Sequence, residues 1–312
     1  MKKSRILVGF IFTAGLVLIL IGLIIIRQED IVTIISSYIL PNNNNVALGN
    51  TNDYYRDYDF NFVKNTTNFT PSNYQDILNI YYTAINAGKV SFTFYCPKTY
   101  KKCIEDVQRL ANDQDLLSDI NNFVHPYNGF SHIETEYDSL GRVTLNVIRT
   151  YTDEQIALIN QKVDYLYPLL VNETAPIEDN IRSVHDYIIN NSKYDSDRSD
   201  RNIIKYKSDI AYGPLFEGYA ICGGYTDLME LFLERMGVKS FKVSSDNHIW
   251  NAVMIGNTWY NLDLTWDDPV ASDGKDYLEH NYFLIDTNKL LSIETTQHFF
   301  NQDLYSELKE AY

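Results

Sequence analysis

Apolar residues crowd the start of the chain and afterwards recur in short periodic runs. Residues 6–26 are 21 consecutive positions without a charge. At a rise of ~1.5 Å per residue such a helix spans about 31 Å, close to the hydrocarbon thickness of a bilayer. Lys2, Lys3 and Arg5 precede the run, while Arg27 lies beside Glu29 and Asp30 after it. The positive-inside bias predicts an N-terminus in the cytoplasm and an extracytoplasmic remainder. A cleaved signal peptide has a shorter apolar core and a small-x-small cleavage site. No such site follows Leu20, which favours an uncleaved single-pass anchor over residues 1–30. Residues 31–72 read as a juxtamembrane piece and then, after Pro41, as a solvated stalk rich in Asn, Asp, Thr and Tyr.

From residue 73 periodic patterns return. Ile77, Ile80, Tyr81, Ala84 and Ile85 recur at helical spacing, with Gly88 as a stop. Val90, Phe92, Phe94 and Cys96 alternate as one face of a strand. A polar helix is predicted over residues 104–123. Residues 133–151 read as a hairpin turning at Asp138 to Gly141, with Val143, Leu145 and Val147 alternating after it. Thr152 with Gln155 is a capping-box signature for a helix running to about residue 171. Another helix, from residue 176, turns Ile177, Ile181, Val184 and Ile188 to a core. A break around residues 172–175 divides a mixed α+β module (73–174) from a C-terminal domain (175–312).

In that domain Tyr225, Leu228, Leu231, Phe232 and Met236 mark a helix stopped by Gly237, which puts Cys222 at or just before its N-terminus. A short strand is predicted over 238–243. Gly256-Asn257 between apolar runs signals a two-residue hairpin loop. That loop pairs Ile255 with Thr258, Trp250 with Asp263 and His248 with Thr265. Period-2 alternation then puts His248, Trp250 and Asp263 on one face, leaving Asp268 on the other and Asp267 beyond the paired region, opposite Asp246.

Composition narrows the function. The chain has 312 residues and a formal charge of −15. So acidic a chain is a poor partner for nucleic acid, which needs Lys and Arg along a phosphate-tracking face. Of three cysteines, Cys96 and Cys103 either pair or remain as two reduced, partly buried thiols. Cys222 is left over. A lone thiol on the oxidising side of a membrane is a liability unless it is buried or used. His125 and His132 have no ligand-spaced neighbours and suit a packing or surface role.

A thiol at a helix N-terminus, where the dipole favours thiolate, plus a His oriented by an Asp, is a complete nucleophilic set. Cys222 is the candidate nucleophile, His248 the base and Asp263 the orienting acid. The backbone N–H of Cys222 is a natural oxyanion donor. Gly223 clears space beside the sulfur, and Trp250 is a candidate substrate wall. Bland alternatives stand beside these: a small buried Cys with glycines for tight packing, and a satisfied core His. One Cys without a nearby second Cys or His is a weak zinc signature, and no acidic loop has calcium spacing. No cofactor or metal is expected.

The blocks Ala211-Tyr-Gly-Pro-Leu, Ile221-Cys-Gly-Gly-Tyr, His248-Ile-Trp-Asn and Trp259-Tyr-Asn-Leu-Asp-Leu-Thr-Trp-Asp-Asp-Pro269, taken in that order, resemble the bacterial transglutaminase-like superfamily. The helix ending Val184-His-Asp-Tyr-Ile-Ile-Asn-Asn-Ser-Lys-Tyr-Asp195 resembles that family's lead-in, so the likeness covers about residues 177–290. The resemblance implies a papain-like α+β fold, with the Cys helix packed on an antiparallel sheet that bears His and Asp. It implies Cys222, His248 and Asp263 as nucleophile, base and acid, with Tyr212 as a guess for a further oxyanion donor. Gly223 stands where the family leads one to expect Gln or Glu.

The superfamily includes transamidases, peptidases, amidases and inactive scaffolds. The expected function is therefore a membrane-anchored, extracytoplasmic thiol acyl-transfer enzyme attacking an amide of a protein or peptide. A cell-wall peptide is one form of that substrate. A catalytically silent surface scaffold or adhesion protein is the alternative.

Overall fold

The computed structural model describes residues 46–270, 277–294 and 296–309. The expected anchor lies outside these residues. Among the described residues, no helix is long and apolar enough to cross a membrane.

Helix α1 (Tyr74–Asn86) starts where the Asn73 side chain accepts the Asp76 N–H at 3.0 Å. It buries Ile77, Ile80, Tyr81, Ala84 and Ile85, the predicted stripe. Strand β1 (Ser91–Tyr95) follows. The expected polar helix is two helices, α2 (Cys103–Asn112) and α3 (Gln114–Asn121). Asp113 breaks it: its backbone leaves helical geometry (φ −95°, ψ 88°) and its carboxylate accepts the Leu116 N–H at 3.0 Å. Cys96 and Cys103 are joined by a disulfide that ties the chain after β1 to the start of α2. The hairpin is β2 (Phe130–Tyr137) and β3 (Arg142–Arg149), and β3 also pairs with β1, giving an antiparallel sheet in the order β1-β3-β2.

Thr152 opens α4 (Asp153–Leu170) with both bonds of the capping box: the Thr152 N–H to Gln155 Oε1 at 2.9 Å and the Gln155 N–H to Thr152 Oγ1 at 3.2 Å. Then come α5 (Ile177–Asn190), the short strand β4 (Lys193–Tyr194) and α6 (Ser196–Arg201). A π-helical turn at Gly213–Glu217 leads to β5 (Tyr219–Ala220), which lies parallel to β4. Helix α7 (Cys222–Arg235) packs on a second antiparallel sheet made of β6 (Ser240–Ser244), β7 (Ile249–Ile255) and β8 (Thr258–Leu262). Helix α8 (Thr287–Ile293) follows. The architecture is α+β, with the cysteine-bearing helix set against an antiparallel sheet.

Two expectations about organisation need correction. Residues 46–72 were expected to be a solvated stalk. The stretch has no regular helix or strand, yet Phe60, Val63 and Phe69 are buried in the core. At roughly 1.5–3 kcal/mol per fully buried large apolar side chain, these three hold the stretch against the body. The core likewise does not divide at residues 172–175. Phe123 stacks on Phe241 with ring centroids 5.1 Å apart. A second cluster joins Ile159 and Val163 of α4 to Leu228 and Phe232 of α7. The anchoring is polar as well. Arg56, from the expected stalk, pairs with Glu230 of α7 and donates to the Phe123 carbonyl at 3.0 Å, both side chains being buried.

Candidate active site

The chain enters α7 from a pinned strand. Asp195 N–H donates to the Ala220 carbonyl at 2.9 Å, and Ile221 N–H to the Ser208 carbonyl at 2.8 Å. The Ile221 carbonyl then accepts from Gly224 and Tyr225, which places Cys222 in the first turn, before its own N–H can find a helical partner. Packing accounts for the two glycines. A Cβ at Gly223 would lie 2.8 Å from the Asp209 carbonyl oxygen, and one at Gly224 only 2.3 Å from that of Ser208. Their lack of side chains lets the 208–209 backbone press on the helix start; that is the tight-packing reading, and it explains Gly223 without a contact to substrate. The Thr226 hydroxyl lies within hydrogen-bond distance of the carbonyls of Cys222 (2.7 Å) and Ile249 (3.1 Å). This docks the first turn of α7 onto the strand that follows His248.

The hairpin register is the predicted one where strands exist, with Ile255 opposite Thr258 and Asn251 opposite Leu262. The strands are shorter than expected. β8 ends at Leu262, and Asp263 opens a turn in which its Oδ1 accepts the N–H groups of Thr265 (2.9 Å) and Trp266 (3.3 Å). Trp250–Asp263 and His248–Thr265 are thus not rungs of the ladder. Asp263 nonetheless continues on the expected side, and its Oδ2 lies 2.5 Å from His248 Nε2. With Nε2 engaged, Nδ1 is the ring edge that remains, and Cys222 is near enough to favour the charged imidazole.

Charge in this group is strongly coupled. Burial disfavours the charged form of His248. The Asp263 charge and hydrogen bond, with the Cys222 side chain, outweigh burial and push the imidazole up to about 10. Burial also opposes ionisation of Asp263, but His248 and His298 prevail and hold its carboxyl well below the usual range.

Other predicted residues fall differently. Trp250 is buried and donates from Nε1 to Asn261 Oδ1 at 2.9 Å, while its ring stacks on His248 at 5.6 Å. It backs the His248 imidazole and does not form an open wall. Tyr212 packs on Phe216 and lies under Lys207 Nζ. Tyr194, half-buried on β4, lies near the site: burial pushes its hydroxyl up, the bond to Ser199 opposes, and Cys222, Asp200 and Asp263 add to the rise. Its backbone pairs with Ala220, two residues before Cys222. Asp267 and Asp268 are structural, bonded to His185 Nε2 at 3.2 Å and to the Tyr225 hydroxyl.

His298 was not anticipated. It is fully buried, and its Nε2 lies 2.8 Å from Asp263 Oδ2, the same oxygen that meets His248. Its Nδ1 lies 3.0 Å from Glu294 Oε2. The Glu294–His298 spacing of four was the one signal available in the sequence.

Among the described residues, two clusters of three side chains bring imidazole and carboxylate atoms together, His248–Asp263–His298 and His185–Asp186–His280. In the second, His185 Nδ1 and His280 Nε2 lie 2.8 and 2.7 Å from Asp186 Oδ1. Donor atoms around a tetrahedral zinc stand roughly 3.3 Å apart. The shorter spacings in both groups are hydrogen bonds, and the second group fastens α5 to Asp267 and His280. A cavity of about 870 Å³ opens between Asp119, Ser245, Asp246 and Phe299, but its lining includes none of Cys222, His248 and Asp263.

Residues 164–264 match the family model of the Transglutaminase-like superfamily. That segment contains Cys222, His248 and Asp263, while His298 lies beyond it. No curated protein matches the chain. Among solved structures, similarity is found to a TGase, 12% identical over 44% of this chain and 45% of that one, with a TM-score of 0.31. A protein designated a cysteine protease, from Cytophaga hutchinsonii, is 14% identical over 43% of this chain and 61% of that one, with a TM-score of 0.28. The chain thus spans about half the length of these proteins, and a likeness so slight carries no argument about activity.

Proposed function

We propose that this chain is a membrane-tethered, extracytoplasmic thiol acyl-transfer enzyme that attacks an amide of a protein or peptide. The observation that carries the chemistry is His248, held by Asp263 at 2.5 Å through one ring nitrogen and raised in proton affinity by both Asp263 and Cys222. The tether rests on the charge-free run at residues 6–26 and the basic residues before it.

In the reaction His248, already charged at neutral pH, pairs with the Cys222 sulfur, which attacks the amide carbonyl as the thiolate. Backbone N–H groups at the start of α7 face the developing oxyanion. Tyr194, placed beside Cys222 by its pairing with Ala220, is a better second donor than Tyr212. As the tetrahedral intermediate collapses, the C–N bond breaks and His248 protonates the leaving amine. The resulting thioester is opened by water, giving hydrolysis, or by a second amine, giving transamidation; His248 takes the incoming proton, and the thiol is regenerated. Asp263 keeps the ring in one orientation and balances its charge.

The test is labelling of the purified protein with a thiol-directed electrophile, alongside assays of amine incorporation and peptide cleavage. Cys222 should react faster than a free thiol at neutral pH. Cys222→Ala should lower turnover by on the order of 10⁴-fold or more. A Cys222 no more reactive than free cysteine would return the chain to the scaffold reading.

A further inference from the structure

Asp263 Oδ2 faces two imidazoles, His248 Nε2 at 2.5 Å and His298 Nε2 at 2.8 Å. A carboxylate only accepts, so His298 Nε2 must carry a proton. The other edge of His298 is equally constrained. Glu294 accepts N–H bonds from Thr296 at 2.7 Å, Gln297 at 2.9 Å and His298 at 3.2 Å, which marks it as an ionised carboxylate. Burial works against that ionisation, but these bonds and the His298 ring hold Glu294 near about 2. Its Oε2 lies 3.0 Å from His298 Nδ1, so Nδ1 must donate as well. A ring that donates from both nitrogens is a cation.

The surroundings suit a buried cation. The ring stacks on Tyr282 at 5.3 Å, and Trp250 and Trp266 lie at 4.9 and 5.3 Å, offering aromatic faces and edges around it. Among the described residues, the titratable groups that face it are Asp263, Glu294, His248 and Tyr282. The His248 ring is 5.3 Å away and perpendicular.

We propose that His298 is an imidazolium at neutral pH, a positioning residue that fixes Asp263 and whose positive charge weakens the hold of Asp263 on the proton of His248. The second half rests on the reading of Cys222 and His248 as the reacting pair; the charge of His298 does not. An imidazole backed by an undivided carboxylate is more basic, and so yields the proton on its opposite nitrogen slowly to a leaving group. Sharing Asp263 between two cations brings His248 closer to the working pH.

The experiment is ¹⁵N-resolved imidazole NMR on the full chain, with the His298 signals identified by their loss in His298→Gln. Two protonated-type ring nitrogens at pH 7–8 are expected. One protonated and one bare nitrogen there would overturn the proposal, whatever the enzyme does. The second readout is the pH profile of Cys222 alkylation. In His298→Gln, which keeps a donor but loses the charge, the upper inflection should rise by about one unit or more, a tenfold change in proton affinity. An unmoved or lowered inflection refutes the tuning. If that variant fails to fold, Glu294→Gln serves. There His298 should lose its second proton at lower pH than in the parent, and no change would count against the assignment.

Discussion

His248 and Asp263 stand 2.5 Å apart, Nε2 to Oδ2, just beyond the last rung that β7 shares with β8. Their contact ties the stability of the fold to pH. His248 is raised from 6.5 to about 10, so its contribution is fully present below about 6.5 and is lost as pH rises through about 10. Asp263 is lowered, so its contribution is present above 3.8 and is lost as pH falls into the acid range. Denaturant midpoints measured from pH 6 to 11 should fall more steeply in the parent than in Asp263→Asn. Parallel curves would show that the pair contributes nothing to folding.

Tyr194 and Tyr212 give opposite expectations. Tyr194→Phe should lower kcat by on the order of 10²-fold, the cost of an oxyanion donor, with little change in KM. Tyr212→Phe, whose ring lies against Phe216 and Lys207, should stay close to the parent. Steady-state kinetics of the two variants on one peptide substrate decide it, and a reversed order would return the role to Tyr212.

Glu230→Gln strips the charge from the partner of a buried Arg56. An unpaired buried guanidinium costs roughly 3–5 kcal/mol, whereas exchanging both partners for apolar side chains costs far less. Equilibrium unfolding of Glu230→Gln and of Arg56→Met with Glu230→Leu should show that contrast. A loss below 1 kcal/mol for Glu230→Gln would mean that water reaches Arg56.

The Cys96–Cys103 disulfide closes a short loop with a sequence separation of 7. Loop-closure entropy gives about 2 kcal/mol for a ring of this size. Replacing both cysteines by Ala should lower stability by that amount while leaving Cys222 reactivity unchanged, as read by unfolding and alkylation together.

Period and punctuation carried much of the fold. The apolar stripe of α1, the capping box before α4 and the Gly256-Asn257 loop are local signals, and each element formed where its signal lay. The register of the last hairpin brought His248 and Asp263 together even though β8 stops short, because Asp263 continues on the side that parity selects. Residues 46–72 were illegible for the opposite reason. Phe60, Val63 and Phe69 follow no period, and the partner of Arg56 lies 174 positions away. His298 was hidden in the same way: its meaning comes from Asp263, 35 residues earlier, and from rings on other segments. The break between α2 and α3 was missed because Asp113 is polar in a polar stretch, and only its backbone angles reveal the stop.

The buried bond between Arg56 and Glu230 also limits how this protein can be dissected. The segment shared with the transglutaminase-like family starts more than a hundred residues after Arg56. A polypeptide trimmed to that segment would leave Glu230 a bare acid inside the helix that carries Cys222, and would strip the cover from Phe241. Such a fragment should clump or stay unfolded, and its silence in an activity screen would say nothing about the intact chain.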